Sequence, residues 1–344
     1  MEKKTENPGV NLLRFLAIAL VINSHMDAFY PIPILGTGGA IGNALFFVLS
    51  AYGLMLSEKN RPQRFQDYLV KRVRRIYPIV WISTLVLIFP LVLFYYFKSP
   101  ENFSSLVNEF ALNNPLGFLS IIFYPPSAFW FLQALMIFYV LGFALIKNYS
   151  NKKIIYGTIL LLLIYVALYS RAENYNSLII EQEMNFKLVF YFLIFMFGIF
   201  LASVESKIKY HGVGDYLILL LFIFVIYGHK LLVMMTGGKY AEYQFVQQIA
   251  IFPLVFYFLK ISRSDWVGGL FNIETWAGRF VSLVAAMTLE LYIVHGPLRG
   301  LMLPYLGDFP GNVMVYLPFV FITAYMLHEL TNKATRICLG RQLS

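Results

Sequence analysis

Leu12-Leu13-Arg14-Phe15-Leu16-Ala17-Ile18-Ala19-Leu20-Val21-Ile22-Asn23-Ser24-His25 is an apolar run with a guanidinium near its start and an imidazole at its end. Such a run suits lipid, where ionisable groups are costly and by default suggest function. Nine more apolar segments follow it. The ten lie near 10–30, 39–57, 76–97, 127–147, 153–170, 187–204, 215–235, 244–260, 280–300 and 311–331. A spanning helix needs about 20 apolar residues, and most of these segments meet that length. The seventh is the weakest, because His229 and Lys230 cut it short unless Lys230 snorkels to the interface. Pro253 and Pro318 kink the eighth and tenth without forbidding a membrane helix.

Composition agrees with this reading. Of 344 residues, 59% are hydrophobic and 13% are charged, about half the charge of a soluble domain. Disorder, a small disulfide scaffold and an ordinary soluble enzyme are excluded. The lone Cys338 excludes an internal disulfide and a thiolate metal cluster. The expected fold is all-α: a polytopic integral membrane protein of about ten helices, forming one transmembrane domain over 1–344 with its helices between 10 and 331.

The net charge of +9 is a topology signal. With the N-terminus inside, 20 basic residues fall on the inner side and 6 on the outer side. By the positive-inside rule both termini are then cytoplasmic, and nucleic-acid binding is not needed to explain the excess. Met1-Glu2-Lys3-Lys4 and the apolar run after it read as an uncleaved signal-anchor, since no clear small-residue cleavage site follows. The loop near 98–126 is expected outside. Its apolar patch 116–124 is a candidate to dip back into the membrane.

Arg14 and His25 are eleven residues apart. On a helix that is about 20° beyond three full turns, so the two side chains share a face about 16 Å apart along the axis. A substrate stretched along that face would meet a cation at one end and an imidazole at the other. The alternative is an arginine that snorkels to headgroups and an interfacial histidine.

Arg14-x10-His25 resembles the signature of the acyltransferase-3 family of membrane O-acyltransferases, and further matches come in order. Phe46-Phe47-Val48-Leu49-Ser50-Ala51 resembles the family's Phe-Phe-x-x-Ser-Gly, with Ala51 where Gly is usual. That departure puts in doubt the close helix contact a glycine would allow. Arg72-Val73-Arg74-Arg75-Ile76-Tyr77-Pro78 is similar to the family's Arg-x-x-Arg-Ile-x-Pro. Phe129-Trp130-Phe131-Leu132, with Tyr139 downstream, and Leu289-Glu290-Leu291-Tyr292-Ile293-Val294-His295 complete the set.

The resemblance implies a stand-alone multi-pass enzyme of the cytoplasmic membrane. It would move an acyl group, usually acetyl, from cytoplasmic acetyl-CoA to a hydroxyl of a cell-surface glycan or lipid-linked sugar. Membrane lipids surround such a protein, and a second copy of the chain is a further candidate partner. Catalytic roles fall to His25 and Arg14. Acyl-CoA phosphates fall to Arg14, Arg72 and Arg75, whose rigid forks suit phosphate; the alternative for the last two is lipid headgroups. An imidazole titrates near neutral pH, so His25 would act as general base or carry the acyl group covalently.

Trp130, Glu290, Tyr292 and His295 are candidate acceptor-binding residues. Thr288, Tyr292, His295 and Arg299 share one helical face, and an interfacial aromatic belt is the alternative for Tyr292. Glu290 must pair or stay protonated, with Arg14 or another arginine as a candidate partner. Asp27, two residues from His25, is expected to be a poor orienter. His211, His229 and His328 read as satisfied imidazoles near span ends. No metal-ligand spacing, P-loop or serine-hydrolase motif is found. A secondary transporter is the rival reading, but it usually shows internal repeats, and none is evident.

Overall fold

The computed structural model describes residues 7–98, 129–172, 175 and 184–339. The proposed re-entrant patch at 116–124 lies outside the described residues. Within them the chain is helical and contains no strand. This follows from the composition, because in lipid a backbone must satisfy its own hydrogen bonds, and a helix does so within one segment.

The helices are α1 (Pro8–Ser24), α2 (Gly39–Asn60), α3 (Phe65–Ser83), α4 (Phe89–Lys98), α5 (Trp130–Lys147), α6 (Asn151–Tyr169), α7 (Met184–Ser203), α8 (Val213–Met235), α9 (Phe245–Ile261), α10 (Asp265–Leu270), α11 (Trp276–Ala286), α12 (Thr288–Met302) and α13 (Gly311–Leu339). Among the described residues eight stretches are long and apolar enough to cross a membrane. The bent pair α11 and α12 makes a ninth, and α1 is a shorter apolar helix. Each of the ten expected segments therefore has a helical counterpart, and the protein is a multi-pass membrane protein.

Two details differ from expectation. α1 stops at Ser24, so His25 lies just beyond the helix in a turn closed by its own N–H to the Ile22 carbonyl. α8 runs through His229 and Lys230 to Met235, the end expected for the seventh segment. The ninth segment is broken by 70° between Ala286 and Thr288. Neither Gly nor Pro marks that break. It places Glu290 in the first turn of α12, where a carboxylate complements the positive end of the helix dipole.

Pro78, Pro253, Pro297 and Pro318 all sit inside helices. Ser83 Oγ and Thr84 Oγ1 both donate to the Val80 carbonyl, where α3 passes through one π-helical turn (Thr84–Ile88) into α4.

The chain divides into two compact units. The first holds 1–20, 38–62 and 141–285, and the second holds 21–37, 63–140 and 286–344. In the first unit α2 packs along α7, and α8 along α9. The close approach that Ala51 put in doubt exists and is supplied by the opposite helix. A Cβ at Gly198 would lie 2.6 Å from the Val48 carbonyl oxygen and 2.9 Å from Ala51 Cβ. In the second unit α12, α13 and α3 pack on one another.

Candidate functional site

The site is assembled in the second unit. The chain leaves α1 and folds over 25–37 as two short 3-10 turns, Asp27–Phe29 and Pro33–Leu35. Asn23 holds this segment, its amide donating to the Leu35 and Thr37 carbonyls at 2.8 Å each. The Tyr30 hydroxyl donates to Asn23 Oδ1 at 2.7 Å. Burial pushes that phenol up, so it stays a donor. Gly36 lets the segment close, since a Cβ there would lie 2.4 Å from Asp27 Cα. Asn312 at the start of α13 donates to the Phe29 carbonyl at 2.9 Å.

This clamp sets the His25 ring against His295 of α12, with centroids 4.7 Å apart and the rings edge to face. His25 is exposed and His295 is buried, at 4% exposure. His25 Nδ1 lies 2.9 Å from the Val21 carbonyl, and His295 Nδ1 lies 3.1 Å from the Leu291 carbonyl. A carbonyl oxygen can only accept, so each Nδ1 carries the proton. In the neutral ring the lone pair is then on Nε2, and among the described residues no hydrogen bond reaches either Nε2. The two rings therefore each keep one nitrogen without a hydrogen-bond partner among the described residues. The Tyr316 hydroxyl donates to the His295 carbonyl at 2.7 Å and fixes the helix behind it.

An aromatic file leads to the pair. Trp130 meets Phe131 edge-on at 6.2 Å, Phe131 lies 5.3 Å from Tyr292, and Tyr292 lies 5.8 Å from His295. Four expected site residues, His25, His295, Tyr292 and Trp130, are thus brought together. Asp27 is also present, and not as a bystander. Its Oδ1 takes Arg299 Nη2 at 2.9 Å, while Arg299 Nε is buried without a hydrogen-bond partner. Sequence spacing missed this pair because it treated residues 25–27 as continuing helix.

Glu290 is not paired with an arginine. Its Oε1 accepts from His328 Nδ1 of α13 at 2.7 Å, and its Oε2 is buried without a partner. His328 is accordingly inside a spanning helix rather than at a span end. The placement of Glu290 follows from the α11–α12 break, which the local sequence does not signal.

Arg72 and Arg75 lie on α3. The Arg72 guanidinium stands over the Tyr68 and Tyr139 rings at 5.4 and 5.7 Å, with its Nε buried and unpartnered, while Arg75 is exposed. An aromatic-braced guanidinium with a spare N–H suits a phosphate oxygen. Arg14 is half-buried on α1 and belongs to the first unit. Among the described residues no group of three His, Cys, Asp or Glu side chains is arranged to hold a metal ion.

A multi-pass membrane chain that sets two imidazoles against one another falls in the class of polytopic membrane proteins. The family model of the acyltransferase domain, acyltransferase-3, matches residues 7–328, nearly the whole chain. The chain belongs to that family and is an acyltransferase. It is 30% identical over 130 residues to the peptidoglycan O-acetyltransferase OatA of Listeria monocytogenes, a match covering 36% of this chain and 18% of that protein's length. No solved structure matches the chain.

Proposed function

We propose that this acyltransferase is an O-acetyltransferase that uses cytoplasmic acetyl-CoA and acylates a hydroxyl of an extracytoplasmic glycan or lipid-linked sugar. The observation that carries the reading is the His25–His295 pair, with both Nδ1 atoms bound to carbonyls and both Nε2 atoms left as acceptors. The likeness to OatA supports the acetyl group and the glycan acceptor.

In this reading His25 Nε2 takes the proton of the acceptor hydroxyl. The hydroxyl oxygen forms a C–O bond to the acyl carbon, the C–S bond breaks, and the departing thiolate receives the proton from the imidazolium. His295 Nε2 orients the hydroxyl, and the aromatic file ending in Tyr292 walls the acceptor. Arg72 and Arg75 bind CoA phosphates, with Arg14 as a further cation on the donor's path. The site's place in the cytoplasmic membrane rests on the basic-residue bias.

The test is acyl transfer by purified protein from labelled acetyl-CoA to glycan or lipid-linked sugar acceptors. His25→Ala is expected to lose about 10²–10⁴-fold in turnover, the usual worth of a general base. Full turnover by His25→Ala would overturn the assignment. Label retained on the protein and discharged by acceptor would identify His25 as the nucleophile instead.

A further inference from the structure

α13 does more than cross the membrane. Its first turns carry Asn312 and Tyr316, one turn apart and therefore on one face. Both are buried, at 6% and 0% exposure. A buried polar side chain is tolerated only when it is hydrogen-bonded. The partners of these two lie on the two stretches of backbone that carry the site's histidines.

Asn312 reaches the His25 side. Its Nδ2 donates to the Phe29 carbonyl at 2.9 Å, while its Oδ1 accepts the Val313 N–H at 2.7 Å. The amide is thereby fixed with its donor end toward the Asp27–Phe29 turn. Tyr316 reaches both sides. Its ring packs on the buried Phe29 ring with centroids 4.8 Å apart, and its hydroxyl donates to the His295 carbonyl at 2.7 Å.

Both histidines need an outside support. The Nδ1 bonds to the Val21 and Leu291 carbonyls fix how each ring turns, but each bond is local to its own segment. Neither sets the gap between the segments. His25 lies beyond the last residue of α1, where the α-helical ladder has ended. In α12, Pro297 removes an N–H from the ladder two residues beyond His295. α13 supplies a common reference for both.

We propose that Asn312 and Tyr316 are positioning residues that set the gap between His25 and His295, by gripping the Asp27–Phe29 turn and the α12 backbone from one face of α13. The inference rests on the reading of His25 as general base, and the two residues act through the histidines rather than on the substrate.

The test uses the full chain in lipid nanodiscs, as wild type, Tyr316→Phe and Asn312→Asp. Tyr316→Phe removes one hydroxyl and keeps the ring for Phe29. Asn312→Asp keeps an acceptor for the Val313 N–H and turns the donor end into an oxygen facing the Phe29 carbonyl. Diethylpyrocarbonate, which carbethoxylates accessible unprotonated imidazoles, is the probe, and modified histidines are mapped by mass spectrometry. In wild type the exposed His25 should be modified and the buried His295 protected. In each variant His295 modification should rise several-fold. His229, with both nitrogens occupied, should stay at its wild-type level. Unchanged His295 modification in both variants would overturn the proposal. Equal rises at His229 and His295 would mean general loosening and overturn it too. Tyr316→Phe alone decides should Asn312→Asp aggregate on gel filtration.

This labelling needs no acyl acceptor. Turnover with acetyl-CoA and peptidoglycan fragments then tests the link to the chemistry. Both variants should lose about tenfold in kcat with KM for acetyl-CoA unchanged, less than the roughly hundredfold that a misplacement of about 1 Å can cost. Wild-type kcat in both, beside an inactive His25→Ala, would end the positioning role and leave the base reading standing. A raised KM for acetyl-CoA at wild-type kcat would place the two residues with the donor and end it as well. Full turnover by His25→Ala would remove the base reading itself and this inference with it.

Discussion

His229 in the first unit and the His25–His295 pair in the second show how differently one residue type can be used in one membrane protein. His229 Nε2 faces the Tyr240 carbonyl at 3.1 Å, and its Nδ1 meets the Gln247 amide at 2.6 Å. Both nitrogens are occupied, and the ring is a fastener, as the sequence reading expected. His25 and His295 each spend one nitrogen on a backbone carbonyl and keep the other.

The charged groups divide in the same way. In the first unit Asp215 takes Lys260 Nζ on Oδ1 and the His211 N–H on Oδ2, both at 2.7 Å. Arg263 donates to the Glu205 and Ile208 carbonyls and to the Tyr52 hydroxyl, which itself donates to Glu205 Oε1 at 2.8 Å. In the second unit Arg299 Nε, Arg72 Nε and Glu290 Oε2 are left over. The saturated clusters hold helices together, whereas these three atoms keep an unused hydrogen-bonding valence.

This contrast can be broken most sharply at Lys260. Cutting a buried ion pair at one end strands the other charge and typically costs 3–5 kcal/mol. Lys260→Ala should therefore lower stability by about that amount in reversible unfolding from mixed micelles. The double change Asp215→Leu with Lys260→Leu should recover most of the loss. Turnover per folded molecule should stay at the wild-type level, and a large loss in the stable double variant would mean that this cluster also serves the reaction.

The next largest effect is expected at His295. If it orients the acceptor hydroxyl, His295→Ala should lose up to about a hundredfold in turnover, the scale of a misplaced reactant. The unfolding midpoint should move little by comparison. The opposite pattern, wild-type turnover with a large stability loss, would class His295 with His229.

Asp27→Asn should have the smallest effect. The Asp27 and Arg299 side chains are 51% and 32% exposed, so their ion pair is screened and contributes at most about 1 kcal/mol. A several-fold loss of turnover with near-normal stability would show that the pair holds the segment carrying His25. Wild-type turnover would reduce it to a surface contact.

Much of this arrangement can be read along the chain. The all-helical membrane fold follows from apolar runs of spanning length, because lipid leaves a backbone few other options. His25, Tyr292 and His295 stand out because ionisable and polar groups in apolar helices are costly. What could not be read involves contacts far apart in the chain or breaks without a local signal. The Asp27–Arg299 pair joins residues 272 apart, and the Glu290–His328 pair joins residues 38 apart. The turn at His25 and the bend at Met287 change which groups face one another, and neither carries a glycine or proline to announce it.

Sequence alone thus determined which segments enter the membrane and which side chains are too costly there to be idle, since transfer free energy is paid residue by residue. Only the tertiary structure decided which nitrogen of each histidine is engaged, which acid meets which base, and which polar atoms stay unpaired. Those outcomes depend on distances between helices that local preferences do not encode.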